Sequence, residues 1–150
     1  MREQFPVWVP IQVRWGDMDA LGHVNNVTYF TYIEMARIAY FHRVNMNKLW
    51  CEEFGPIVAS ASCDFKMPVT YPAWLDVGAR ITRVGNSSMT MAYGLYLKDS
   101  NDLVAQGSTS IVWVNYHEGK GVRLPDVLRS AIENLEPELS DSARRTAPTS

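Results

Sequence analysis

The segment from Val27 to about Val44 constrains this chain most. Phe30, Ile33, Ile38, Tyr40 and Phe41 spread nearly all round a helical wheel, with few charges among them. A helix that is apolar on most faces belongs inside a protein rather than on its surface. Asn25 or Asn26 supplies the polar cap that starts it. The chain must therefore provide something that wraps this helix. At 150 residues, 47% hydrophobic and 11% aromatic, it is long and apolar enough to form one domain with a real core, and it is neither disordered nor low in complexity.

The wrapping material reads as β-structure. Val7–Trp15 is rich in Val, Ile and Trp, and Ile57–Val69, Leu75–Val84, Met89–Lys98 and Leu103–Asn115 are four further segments of strand length or more. Tyr71-Pro72, Gly85-Asn86-Ser87-Ser88 and Asp99-Ser100-Asn101-Asp102 separate them, the last two being polar links of hairpin type. Met46–Phe54 predicts a short second helix ended by Gly55-Pro56, and Asp126–Leu135 another begun by Pro125-Asp126. From Glu136 to Ser150 apolar content collapses. The expected organisation is one domain over residues 1–135 and a mobile tail over 136–150. The expected class is α+β: about five antiparallel strands in meander order, curled around one long helix. One curved sheet cannot cover so apolar a helix completely, and pairing two copies would help bury it and protect the sheet edges.

Composition narrows the partners and the compartment. A net charge of −2 argues against nucleic acid or an anionic membrane as a general partner. No apolar run approaches the ~18 residues that would suggest a transmembrane helix, and the first residues, with an early Glu3, do not read as a secretory signal. Cys51 and Cys63 form neither a disulfide framework nor a metal spacing, so free thiols in a cytoplasmic setting are expected.

The chemistry is concentrated in Asp17-Met18-Asp19-Ala20-Leu21-Gly22-His23-Val24-Asn25-Asn26. This stretch leaves a strand, turns at Gly22 and runs into the long helix. It gathers two acids and a histidine beside a helix N-terminus, which offers unpaired N–H groups and roughly half a positive charge. A carboxylate held near such donors is suited to attack on a carbonyl, directly or through water, while the amides stabilise the oxygen. If the stretch is extended, Asp17 points away from Asp19 and serves structure, pairing with Arg14 or Arg37. His23 either orients the loop or contacts substrate or water. The acids and His23 lack a second cluster of ligands, so no metal is expected. Glu34 and Arg37, three apart on the helix, are expected to pair with each other or across a subunit boundary. Tyr29 and Phe30 read as core or pocket wall.

These residues carry a resemblance to a known family. Val13-Arg14-Trp15-Gly16-Asp17-Met18-Asp19, Gly22-His23-Val24-Asn25-Asn26, Tyr29, Glu34-Met35-Ala36-Arg37 and Asp64-Phe65-Lys66-Met67-Pro68-Val69 together resemble the hotdog-fold thioesterases of the 4-hydroxybenzoyl-CoA thioesterase type, over roughly Val7 to Leu135. The resemblance implies hydrolysis of an acyl or aryl thioester to a free acid and a thiol. Asp19 is then the nucleophile or general base, the Asn26 N–H stabilises the oxyanion, and His23 completes the catalytic set. Asn25, Tyr29, Glu34 and Lys66 are the implied substrate-binding positions. Arg80, Arg83, Lys98, Lys120 and Arg123 are further candidates for the phosphates of a coenzyme A carrier. The implied partners are an acyl-CoA or acyl carrier protein thioester and a second copy of the chain, as homodimer or homotetramer, with no cofactor required. A hotdog hydratase or dehydratase, and a non-catalytic acyl-thioester-binding protein, are the rival readings.

Overall fold

A computed structural model of the chain describes residues 2–139. After a 3-10 turn at Arg2–Gln4, strand β1 (Val7–Val13) is followed by another such turn at Trp15–Asp17, helix α1 (Asn26–Arg43) and a third turn at Met46–Lys48. Then come β2 (Phe54–Phe65), β3 (Ala73–Val84), β4 (Ser88–Leu97), β5 (Leu103–Asn115), the two-residue β6 (Lys120–Gly121) and helix α2 (Asp126–Leu135). All strand pairs are antiparallel, in the order β1-β3-β4-β5-β2, with β6 on β5.

That order corrects the expected simple meander. β3, β4 and β5 do form one, but β2 joins the far side of β5 instead of pairing with β3. β1 and β2 thus occupy opposite edges, and α1 is the connection between them. Its 18 residues span ~27 Å, enough to cross five strands that together are roughly 19 Å wide. The apolar helix lies against the sheet because the chain must cross that face to reach the other edge.

Alternation along the central strands aims Leu75, Val77, Ala79 and Ile81 of β3, and Met89, Met91, Tyr93 and Leu95 of β4, into the same core as Ile33, Ala36 and Tyr40 of α1. Gly107 of β5 leaves room for the helix side chain above it: a Cβ there would stand 2.7 Å from Ile33 Cδ1 and 3.0 Å from the Ser62 carbonyl oxygen. The opposite side of α1 remains uncovered within one chain: Val27, Phe30, Met35 and Ile38 are 36–66% exposed.

Several boundaries shift for local reasons. β1 stops at Val13, short of the expected Trp15, because the Arg14 amide turns to donate to Asp17 Oδ2 (2.9 Å). The expected helix over Met46–Phe54 shrinks to one turn, and Gly55 and Pro56 belong to β2, paired with Val114 and Trp113. An edge strand tolerates the missing N–H of Pro56. β2 also ends at Phe65 rather than Val69. Lys66 and Met67 both donate to the Val104 carbonyl (2.8 and 3.2 Å), and the chain then swings toward the start of α1, where the Val24 amide donates to the Val69 carbonyl (2.8 Å).

The two sheet edges differ. β1 carries Pro10 at its centre, while β2 runs twelve residues with no proline after Pro56 and no lysine, and it exposes Ile57 and Val58. Packing also continues just past the expected domain boundary at residue 135. Glu136 is buried, accepting from the Tyr40 hydroxyl (2.7 Å) and from the Ile81 amide. β1 begins opposite Ala79, so Ile81 of β3 has no strand on that side, and the carboxylate takes the place of one. The expected tail beyond residue 139 lies outside the described residues.

Candidate active site

The loop between β1 and α1 is held by its own backbone. Asp17 lies behind it, 6% exposed, accepting from the Arg14 amide, from the Tyr32 hydroxyl (2.7 Å) and from the Arg14 guanidinium (3.5 Å). Burial pushes its carboxyl up, but the Arg14 amide, the Tyr32 hydroxyl and the Arg14 charge outweigh this and hold it below the usual carboxylate value. Burial and the Asp17 charge in turn push the Tyr32 hydroxyl well above the ordinary tyrosine value. The Asn25 amide closes the loop onto the Asp17 carbonyl (2.9 Å).

Asp19 heads a tight turn. Its amide donates to the His23 carbonyl (2.9 Å), its carbonyl accepts from Gly22 (3.0 Å), and its Oδ1 accepts from the Leu21 amide (2.9 Å). Gly22 adopts φ +81°, a conformation that favours glycine. The helix then starts with an asymmetry. Asn25 Oδ1 accepts from Val27 (3.0 Å) and the Asn25 carbonyl accepts from Thr28 (2.9 Å), so one residue caps two amides. The Asn26 amide, the first of the helix, has no acceptor among the described residues.

Asp19 and Asn26 line one cleft of about 430 Å³ together with Val24, Tyr29, Phe65, Lys66, Met67 and Pro68. A carboxylate, an open helix-start amide and an ammonium thus share a space whose other walls are apolar. This arrangement can bind a polarised carbonyl, attack it or deliver water to it, and receive a negatively charged carrier at the mouth.

Four of the seven site residues expected from sequence meet here: Asp19, Asn26, Tyr29 and Lys66. The other three do not line the cleft. His23 is exposed and contributes its carbonyl to the Asp19 turn. Asn25 is the helix cap. Glu34 is exposed and faces a separate shallow groove with Val9, Met35, Ile38 and Ala39. Of the two expected pairings of Glu34 and Arg37, the one with each other is not formed among the described residues. A spacing of three places the pair astride the boundary between the exposed and buried faces of the helix, and the Arg37 charge acts on the buried Tyr93 hydroxyl instead.

Among the other candidate cations, Lys98 sits over Trp74 (5.2 Å), Arg80 over Phe5 (5.8 Å), and Arg123 pairs with Asp126 (3.1 Å); none of the five lines the cleft. Phe65, Met67 and Pro68 were not expected as a wall, because that stretch reads as strand. The signal available was Pro68, which a paired strand accommodates poorly. Among the described residues no cluster of His, Cys, Asp or Glu could hold a metal ion, and no helix is long and apolar enough to cross a membrane.

A five-stranded antiparallel sheet curled on one long helix, with an acid turn at the helix start, defines a hotdog-fold protein of thioesterase architecture. Residues 13–132 match the thioesterase-like superfamily, and the chain belongs to that family. The protein YsmA of Bacillus subtilis (strain 168), whose function is uncharacterized, is 33% identical over 128 residues, covering 83% of this chain and 84% of its own. The crystal structure of the PA5185 protein from Pseudomonas aeruginosa PAO1 superposes with a TM-score of 0.80 at 36% identity, covering 89% of this chain and 94% of that one. A thioesterase from Thermus thermophilus, solved with coenzyme A and Zn, does so with a TM-score of 0.79 at 35% identity, covering 90% and 97%.

Proposed function

We propose that this protein is an acyl-CoA thioesterase acting through Asp19 and the Asn26 amide. One observation carries the reading: Asp19 lines the same cleft as Asn26, whose amide is the only uncapped one among the first three of α1. In the general-base route Asp19 takes a proton from water, the resulting hydroxide attacks the thioester carbon, and the oxygen charge is received by the Asn26 N–H. The C–S bond then breaks and the leaving sulfur takes the proton back from Asp19. In the nucleophilic route an Asp19 oxygen attacks first, expelling the thiolate and leaving a mixed anhydride that water opens. Both routes run on protein groups and water. Lys66 at the cleft suits the phosphates of a coenzyme A carrier, and the similar Thermus thermophilus thioesterase was solved with coenzyme A.

The active unit we propose is at least a homodimer. The undefended β2 edge and the uncovered side of α1 are surfaces a second copy would bury. Phe65 and Met67 are 46% and 39% exposed at the cleft, consistent with a wall completed by the partner. Release of free thiol from a panel of acyl- and aryl-CoAs tests the activity. Turnover of an enoyl-CoA without thiol release would replace it with hydration.

A further inference from the structure

The cleft has a direction. Asp19 and Asn26 stand at the end where Val69 is tied to Val24, and following the opposite wall back from Pro68 through Met67 to Phe65 leads away from them toward β2. Tyr29 follows Asn26 by one turn of α1, ~4.5 Å along the axis. Its ring meets Phe65 edge to face, with centroids 5.2 Å apart and planes at 63°. Its other side meets Tyr32 at 6.0 Å and 73°, and Tyr32 is anchored by its hydroxyl on Asp17. Tyr29 is therefore a fixed ring, 3% exposed, lining the far end of the cleft with Phe65. Its hydroxyl has no hydrogen-bond partner among the described residues. Of the other residues lining the cleft, Val24, Phe65, Met67 and Pro68 are apolar. Burial, with a smaller contribution from Cys63, raises the Tyr29 pKa above the ordinary tyrosine value, which keeps the proton on the oxygen.

A hydroxyl left without a partner in such a place is costly to desolvate. We propose that Tyr29 determines acyl specificity, selecting short acyl groups that carry a hydroxyl or carbonyl oxygen at the end remote from the thioester. This rests on the thioesterase reading of the same site. A plain alkyl chain that reaches Phe65 displaces water from the Tyr29 hydroxyl and offers nothing in exchange. An oxygen-bearing chain of the same length pairs with it. A site built to hydrogen-bond a substrate oxygen discriminates against the analogue that lacks it, and Phe65 limits how far the chain extends.

Matched coenzyme A thioesters test this: butyryl against 4-hydroxybutyryl, hexanoyl against 6-hydroxyhexanoyl, and octanoyl against 8-hydroxyoctanoyl. The wild-type protein should prefer the hydroxylated member of at least one pair by about fivefold or more in kcat/KM, the scale of one neutral hydrogen bond. Tyr29→Phe should bring that ratio to near one, and Phe65→Ala should move the preference to a longer pair. No preference in any pair, a preference that survives in Tyr29→Phe, or an unchanged length order in Phe65→Ala would overturn the inference while leaving the activity intact. Absence of thiol release from every ester would overturn the thioesterase reading itself, and the inference with it.

Discussion

Asp17 and Asp19 stand two residues apart and meet opposite environments. Asp17 is enclosed by donors from Arg14 and Tyr32, whereas Asp19 turns toward the cleft with only the Leu21 amide on its carboxylate. Asp19→Asn keeps the shape and the Leu21 contact but removes the basic or nucleophilic oxygen. Turnover should fall by at least about a hundredfold, within the range for a positioned base, with an unchanged circular dichroism spectrum and melting curve. Asp17→Asn should do the reverse: a smaller loss of turnover and a larger loss of stability, since Tyr32 and Arg14 lose their anionic acceptor. Equal kinetic damage at both positions would remove this ranking. The two acids were separable in the sequence because extended backbone alternates its side chains. The pairing of Asp17 with Tyr32 was not, since it depends on how the helix docks fifteen residues later.

At the scale of elements, Asn25 controls how the helix begins. Asn25→Ala should lower stability by about 1 kcal/mol, as loss of a cap does, in a denaturant melt. It also frees the Val27 amide, leaving two open donors where there was one. Glu136 acts at the other end of the molecule, holding the residue after α2 against Tyr40 and Ile81. Burial raises its pKa despite those two donors, so the folded state binds its proton more tightly than the unfolded chain does. The contribution is fully present below the ordinary glutamate value of 4.5 and is lost as pH rises through the higher folded value. Glu136→Gln should flatten that decline in melts across the pH range, and Glu136→Ala should cost about 1–3 kcal/mol by leaving two buried donors unsatisfied. Local pattern predicted α1, β5 and α2 nearly to the residue because period and caps are written in consecutive positions. It did not predict that β2 pairs with β5, that residues 66–69 leave the sheet, or that Glu136 is buried. Each of these is decided by contacts with distant parts of the chain, and each looks locally like something else: a next strand in a meander, more strand, a solvated tail. The candidate site divides in the same way: Asp19 and Asn26 follow from the family resemblance of a run of consecutive residues, while Phe65 and Met67 reach the cleft only through the tertiary path of the chain.

For the whole molecule, the surfaces left bare predict assembly. Sedimentation at micromolar concentration should show a dimer or larger species with no monomer, as an obligate interface requires. Ile57→Lys combined with Val58→Lys, both on the exposed β2 edge, should give a monomer with little activity; a fully active monomer would show that the cleft is complete within one chain. The contrast between the two edges has a further consequence. Two copies joined through β2, as proposed, would form a continuous sheet bordered by β1 strands, each interrupted by Pro10. Edge-to-edge addition would then have no next step: the geometry that invites the first partner would withhold a docking rail from the third, and the sheet would not propagate into a fibre.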